Sequence, residues 1–279
     1  MQSQIKVKPF LKWVGGKSQL LPEILRHMPR DYDRYFEPFL GGGAVFFSLQ
    51  QKKACLIDIN AELINTYLIV RDHVDELIAD LKNHIYSKEY YYFIRSADRS
   101  LDYQNWDSIQ KASRFIYLNK TCYNGLYRVN SKQEFNSPMG SYKNPKIVDE
   151  KSLRACSQAL LNVELIHDNF LAIEYMINSK DIVYLDPPYA PLTKTASFTS
   201  YTPDRFDADK QVELYKFCCR LNDRGIRFML SNSSASSILD LYGQEKSFKI
   251  EFVQATRFIN SHGDKRGKIS EVIVTNYEY

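Results

Sequence analysis

Asp186-Pro187-Pro188-Tyr189 follows directly on the apolar run Ile182–Leu185. Two prolines deny a sheet their amide donors, so the chain must leave the strand here in a stiff turn with its carbonyls free. That turn holds an acid and an aromatic ring at the C-terminal edge of the strand, where open α/β sheets place their ligands. With those two side chains on its flanks it reads as a site rather than as a purely structural corner. A second candidate, Gly41-Gly42-Gly43, fits the first half of a dinucleotide fingerprint but has Phe46 where the third small residue belongs, so NAD is not expected. A glycine turn after a first strand still lets a ligand approach the backbone closely. Asp58, 17 residues after Gly41, can accept both hydroxyls of a ribose there, or be no more than a strand-end turn residue. Trp13-Val14-Gly15-Gly16-Lys17-Ser18 ends like a phosphate-binding loop, but Leu11 stands where the first glycine is required. Its cradle of backbone amides is incomplete, and a P-loop is not expected.

These residues need a scaffold that brings strand ends together. Residues 34–39, the glycine turn, 44–49 and 54–57 read as strand, turn, helix and strand, a βαβ opening. Helical patterns follow at about 61–70, 73–85 and 108–122 with no strand pattern between them, and the Gly, Asn, Ser and Pro of 124–145 read as loop or hairpin. Strands at 163–166, 182–185 and 226–230 then alternate with helices at 171–177 and 207–221. Two β-runs, 248–253 and 271–275, joined by a polar loop, close the chain. This order predicts an α/β sheet domain made of residues 1–65 and 150–279, with a mainly helical insert at 66–149. The apolar face of Leu77, Ile78 and Leu81 reads as core packing.

Composition narrows the function. With 279 residues, 44% hydrophobic and 25% charged, the chain can bury one large core or two unequal lobes. Charges interrupt every apolar run well before the roughly 18 residues that a membrane span requires. The first 17 residues carry Lys6, Lys8 and Lys12 without an apolar stretch, so no secretory signal is read and a cytoplasmic protein is expected. Five cysteines, Cys55, Cys122, Cys156, Cys218 and Cys219, without a CxxC spacing predict reduced, mostly buried thiols. The histidines form no close ligand cluster, and no metal is expected.

A net charge of +4 leans towards an acidic partner without requiring one. The stretch 111–146 is stronger, with seven basic residues (Lys111, Arg114, Lys120, Arg128, Lys132, Lys143 and Lys146) against Glu134 alone. Tyr117, Tyr123, Tyr127, Phe135 and Tyr142 are interleaved with them. A basic, aromatic-rich stretch suits a polyphosphate with stackable bases. A solvated face over ordinary core tyrosines has the same composition.

Five motifs, in order, carry a resemblance: Phe10-Leu11-Lys12-Trp13-Val14-Gly15-Gly16-Lys17, Phe36-Glu37-Pro38-Phe39-Leu40-Gly41-Gly42-Gly43, Asp58-Ile59-Asn60, Tyr123-Asn124-Gly125-Leu126-Tyr127-Arg128, and Asp186-Pro187-Pro188-Tyr189. Over nearly its whole length the chain resembles the S-adenosylmethionine-dependent DNA adenine-N6 methyltransferases of the Dam type, the D12 class. The resemblance implies a Rossmann-like methyltransferase sheet with 66–149 as the target-recognition domain. It also implies S-adenosyl-L-methionine as co-substrate, no metal, and double-stranded DNA as partner, with adenine methylated within GATC. A cognate restriction endonuclease would act separately, or the enzyme would act alone, as a monomer. Cofactor contacts are implied for Trp13, Lys17, Phe39, Gly41, Asp58, Asn169 and Asp186. DNA contacts are implied for Tyr123, Asn124, Leu126, Arg128 and Pro138, with Arg128 and Leu126 reading guanine and its neighbours and Tyr123 and Asn124 near the space the flipped base leaves.

Two departures from the family pattern stand out. Asp168-Asn169-Phe170 replaces the usual acid or polar residue before the phenylalanine that holds the cofactor adenine, so either Asp168 or Asn169 is the partner. Ser141 follows Gly140 where an arginine is frequent, which removes one contact to phosphate or base.

For this reaction, Asp186 and the Pro187 carbonyl each accept one hydrogen of the adenine amine, which aims its lone pair at the methyl group. Asp186, Pro187 and Tyr189 are therefore the catalytic set, with Tyr189 stacking on the flipped base. Lys265, Arg266 and Lys268 are expected on phosphates. The same amine chemistry would serve RNA adenine or cytosine N4, but the Asp heading the Pro-Pro-Tyr motif and the recognition segment favour DNA adenine. A DNA-binding protein that has lost catalysis is the alternative from another class; intact Lys17, Asp58, Asp186 and Tyr189 favour the enzyme.

Overall fold

Strands buried on both faces must lie at the centre of a sheet, and the apolar runs on either side of the two candidate turns do so. A computed structural model describes residues 7–191, 206–256 and 268–279, apart from the side chains of 255, 256 and 268–270. Its strands are β1 (Tyr35–Glu37), β2 (Ala54–Asp58), β3 (Glu164–His167), β4 (Ile182–Leu185), β5 (Arg227–Ser233), β6 (Lys249–Thr256) and β7 (Lys268–Thr275). They form one sheet in the order β3-β2-β1-β4-β5-β7-β6. β1 to β5 are parallel, and β7 runs antiparallel to both β5 and β6. The chain fills β1, β2 and β3 towards one edge, then returns to lay β4 and β5 towards the other. The order therefore reverses between β1 and β4, and the crevice beyond their C-terminal ends is where such sheets bind ligands. The glycine turn after β1 and the Asp186 turn after β4 both open into it.

The helices are α1 (Leu21–His27), α2 (Ala44–Leu49), α3 (Ala61–Asp72), α4 (Val74–Leu81), α5 (Lys88–Ser96), α6 (Ser108–Thr121), α7 (Glu150–Leu160), α8 (Ala208–Asp223) and α9 (Ser236–Tyr242). Polar caps fix where the best-anchored ones begin. Asn60 accepts from the Leu63 amide at 3.0 Å to start α3, Asp107 and Gln110 form a reciprocal capping box for α6, and Asp207 accepts from the Lys210 amide at 3.1 Å for α8. Alternate strand residues enter opposite layers. Tyr35, Leu56, Ile182 and Tyr184 pack with α1 to α4, α6 and α7, whereas Phe36, Ile57, Val183 and Leu185 pack with α8 and α9.

The insert shares the first of these layers. Leu63, Ile64, Tyr67 and Val70 of α3 belong to the same apolar cluster as Leu77 and Leu81 of α4, Phe115 of α6 and Leu153 of α7. The expected boundary at 65/66 thus falls inside a continuous, buried helix. A smaller cluster, with Tyr91 and Ile94 of α5 against Tyr117, Leu118, Cys122 and Phe135, lies within the insert.

Several local expectations are corrected. Helices α1, α5, α7 and α9 have no counterpart in the pattern reading. The helix expected at 171–177 is a 3-10 turn, Phe170–Ile173, continued by three-residue steps: Glu174 N bonds to Leu171 O at 3.0 Å and Met176 N to Ile173 O at 2.8 Å. The helix expected over 73–85 stops at Leu81. His84 is drawn off its axis by hydrogen bonds to Tyr90 Oη at 2.9 Å and Ser113 Oγ at 3.0 Å and by stacking on Tyr117. Lys265 and Arg266, the side chain of Lys268 and most of the polar loop lie outside the described residues. All five cysteines are free, four of them buried. No helix among the described residues is long and apolar enough to cross a membrane.

The basic stretch needs the largest revision. Arg114 is 1% exposed and belongs to the core: its Nη2 lies 2.7 Å from Asp98 Oδ2, and Nε and Nη2 donate to the Ile94 and Arg95 carbonyls, each at 3.0 Å. Tyr117 and Phe135 are buried as well. Arg114→Met should lower stability by about 3–5 kcal/mol, because Asp98 is left buried without its counter-charge. A fall in the urea midpoint at unchanged slope would register this, and a loss below about 1 kcal/mol would return Arg114 to the surface set.

Candidate active site

The glycine turn is shaped by what lies over it. Gly41 has φ +47°, and a Cβ there would come within 2.6 Å of the Trp13 ring. Asp58, at the end of β2, accepts from the Gly41 amide at 2.9 Å through Oδ2 and from the Asn60 amide at 3.0 Å through Oδ1. Its carboxylate closes the turn, as the plainer reading of this residue had it. A carboxylate has about four lone-pair sites, so acceptor capacity remains beyond these amides. Burial raises its pKa, and the Gly41 amide opposes the shift. Phe39, just before the turn, stacks on the buried Phe170 at 5.4 Å. Beside it, the Asn169 side-chain oxygen is engaged by the Leu171 amide at 2.8 Å and its Nδ2 by Asp168 Oδ1 at 3.1 Å. The local cap therefore engages one acceptor site and one donor hydrogen of Asn169. Asp168 Oδ1 accepts from the Asn169 amide at 2.7 Å and from Asn169 Nδ2, and its Oδ2 has no hydrogen bond to the described residues.

Across the crevice, the Asp186 turn is gripped from several directions. Gln211 Nε2 donates to the Pro188 carbonyl at 3.0 Å, Ser233 Oγ donates to the Ala190 carbonyl at 2.7 Å, and Asn232 Oδ1 accepts from the Ala190 amide at 3.3 Å. The described residues donate nothing to the Pro187 carbonyl. Asn232 Nδ2 in turn donates to Gln211 Oε1 at 3.1 Å, so the clamps hold one another. Lys17, 6% exposed, reaches the turn from the N-terminal segment: its Nζ lies 2.7 Å from Asp186 Oδ1, donates to the Gly15 carbonyl at 2.6 Å and sits 4.4 Å from the Tyr189 ring centre. The incomplete phosphate loop thus holds a carboxylate. Burial lifts the Asp186 pKa to about 6 against the pull of the Lys17 ammonium, and Glu271 adds a smaller upward push. Tyr189 Oη donates to Glu271 Oε2 at 2.7 Å. Glu37, under the crevice, accepts from Tyr35 Oη at 2.8 Å and is pushed up to about 8 by burial.

The residues expected to read DNA are brought together. Tyr123 N donates to the Pro138 carbonyl at 2.8 Å, and Asn136 N to the Arg128 carbonyl at 2.9 Å, folding 122–140 into a hairpin-like loop. Tyr123, Asn124, Arg128 and Pro138 are exposed on it and Leu126 is half-buried. Asn124 holds φ +56°, a left-handed conformation that asparagine tolerates better than most residues. Arg128 is steadied by Asn136, with Nε 2.6 Å from its Oδ1 and Nη2 3.3 Å from its carbonyl. The loop is tied to the N-terminal segment of Lys12 and Trp13 by buried Asn119. Its Oδ1 accepts from the Lys12 amide at 2.9 Å, and its Nδ2 donates to the Lys12 carbonyl at 2.8 Å and the Gly125 carbonyl at 3.3 Å. Tyr127 adds a second link by stacking on Trp13 at 5.6 Å. Asn119, Gln211, Asn232 and Glu271 are missing from the sequence reading. The side-chain partners described for them here are 21 to 107 residues away, except for Gly125, and no local pattern marks them.

Comparisons with known proteins identify the family. Residues 13–259 match the family described as D12 class N6 adenine-specific DNA methyltransferase. The chain is 44% identical to a type II methyltransferase, M1.LlaDCHI, of Lactococcus lactis subsp. cremoris, over 99% of this chain and 98% of the relative. It is also 44% identical to the type II methyltransferase M.MjaIII of Methanocaldococcus jannaschii, over 98% of this chain and all of the relative. A DNA adenine methylase of Escherichia coli (strain K12) is 33% identical over 96% of this chain and 95% of its own.

Proposed function

Because this chain belongs to the D12 class of N6 adenine-specific DNA methyltransferases, we propose that it methylates the adenine of GATC in duplex DNA after flipping that base into the crevice between β1 and β4. The observation that carries the reading is the juxtaposition of Asp186, Lys17 and Tyr189 at 2.7 Å and 4.4 Å, with the Trp13 segment tied through Asn119 to the hairpin of Tyr123, Asn124, Leu126, Arg128 and Pro138. The insert, from the end of the shared helix α3 at Asp72 to about residue 149, forms the recognition unit.

The donor set suits S-adenosylmethionine. Gly41 leaves the turn without a side chain, Asp58 keeps acceptor capacity for ribose hydroxyls, and Phe39 with Phe170 offers a flat surface for an adenine. Asp168, rather than the committed cap Asn169, accepts from that adenine's amine. When bound, the cofactor supplies an electrophilic methyl group on a sulfonium. The target amine is a weak nucleophile because its lone pair is delocalised into the ring. Asp186 and the Pro187 carbonyl accept its two hydrogens, bias the nitrogen towards pyramidal geometry and aim the lone pair. With the cofactor bound, the amine nitrogen so aimed would take the methyl group from the sulfonium, leaving a neutral thioether, and the acidic methylated amine would lose its proton to solvent. Tyr189 stacks on the flipped base, offsetting roughly 1–3 kcal/mol of the cost of unstacking.

The type II relatives support a modification role beside a cognate endonuclease. The test is transfer of labelled methyl groups to duplex DNA, single-stranded DNA and RNA of the same sequence, with the modified nucleoside identified. N6-methyladenine formed in duplex DNA supports the reading. N4-methylcytosine, labelled RNA alone, or duplex binding without transfer would each replace it.

A further inference from the structure

We propose that Glu271 is a positioning residue for methyl transfer: it holds the Tyr189 ring by its hydroxyl in the plane on which the target adenine stacks. The inference rests on the assignment of Asp186-Pro187-Pro188-Tyr189 as the methyl-transfer turn. A tyrosine ring attached to a fixed backbone still turns about two side-chain torsions, so a stacking platform needs a second point of attachment at its far end. The backbone end is already fixed, since Ser233 and Asn232 hold Ala190 and Gln211 holds the Pro188 carbonyl. Glu271 supplies the other end, accepting from Tyr189 Oη at 2.7 Å in a charge-assisted bond.

Both attachments come from one place in the sheet. Glu271 of β7 is the ladder partner of Ser233 of β5, so the antiparallel strand that closes the sheet sets the ring and the turn backbone in register. The Lys17 ammonium, 4.4 Å from the ring centre, limits the ring from one face. Glu271 itself is half-buried rather than sealed in the core, and its bond leads to no apolar cluster. A purely structural need at this position could be met by a phenylalanine packed without a partner. The hydroxyl and its acceptor instead fix an orientation, which is what a near-attack geometry requires.

Four variants test this: Glu271→Ala, Glu271→Gln, Tyr189→Phe, and Glu271→Ala combined with Tyr189→Phe. The readouts are the single-turnover rate on a GATC duplex, the duplex dissociation constant and the melting temperature. Glu271→Ala should slow the single turnover by about ten- to a hundredfold with duplex affinity and melting temperature unchanged. Glu271→Gln, which keeps an acceptor oxygen, should recover most of that rate. In the Tyr189→Phe background, Glu271→Ala should cost nothing more. Equal losses in Ala and Gln, a persisting loss in the Phe background, or a loss fully explained by unfolding would overturn the role. Wild-type protein that methylates adenine beside an unimpaired Glu271→Ala overturns this inference alone; wild-type protein that leaves adenine unmodified overturns the functional reading and takes the inference with it.

Discussion

Asp186→Ala should cut the single-turnover rate of adenine methylation by at least about 100- to 1,000-fold, the usual cost of deleting one preorganised group at a reacting centre. Duplex affinity should stay within a few-fold of wild type, because the hairpin that bears Arg128 is held by Asn119, Asn136 and Asp98, none of which touches Asp186. The variant also deprives the Lys17 ammonium, 6% exposed, of its counter-charge and leaves it the Gly15 carbonyl and the Tyr189 ring, so its melting temperature should fall. Asp186→Asn, which removes the charge but keeps the size, separates the two effects.

The pH dependence has a definite sign. Asp186 is raised to about 6, chiefly by burial, with Lys17 opposing, so the carboxylate acceptor is present above that pH and lost below it. The wild-type rate should therefore be flat above about pH 7 and fall towards tenfold per unit below about pH 6, and the residual rate of Asp186→Ala should lack this limb. An Asp186→Ala enzyme that methylates at the wild-type rate would remove Asp186 from the mechanism.

Arg128→Ala should affect choice rather than chemistry. A guanidinium has five N–H donors, and Asn136 engages two, which fixes the plane of the fork and leaves three for a guanine edge. A bidentate contact to guanine contributes about 1–3 kcal/mol of discrimination, or about 5- to 150-fold. The ratio of kcat/KM for GATC over the duplex with that guanine replaced should fall by this factor, while the maximal rate on GATC changes little. An unchanged ratio would assign Arg128 to phosphate or to the hairpin's own structure.

Asp186 and Gly41 were legible because their chemistry is local. Two consecutive prolines end a strand wherever they occur, and three glycines after an apolar run make a turn whatever lies around them. The same holds for the positions of β1, β2, β4 and β5, which followed from short apolar runs and their spacing; their order in the sheet did not. Arg114 was misread for the opposite reason. Its charge is visible in the sequence, but the Asp98, Ile94 and Arg95 groups that bury it come from another helix and the turn after it.

Asn169 carries an amide able to donate and accept, and only the fold shows that the Leu171 amide and Asp168 engage it first. Gln211, Asn232 and Glu271 are ordinary polar residues on a helix and two strands. They matter because the sheet order β4-β5-β7 sets β5 and β7 beside the Asp186 turn. The insert boundary escaped because α3 serves two neighbours at once. Its apolar residues face the sheet and the insert in one cluster, so composition does not change where the chain passes from one to the other.

The most direct measurement is a map of N6-methyladenine by sequence context, made on long unmethylated duplex DNA after incubation with the purified protein and S-adenosylmethionine. The account predicts modified adenine at GATC and nowhere else. Modified adenine in another context would keep Asp186 to Tyr189 as the site of transfer and withdraw the reading roles of Leu126 and Arg128, and a map without modified adenine would contradict the account at its centre.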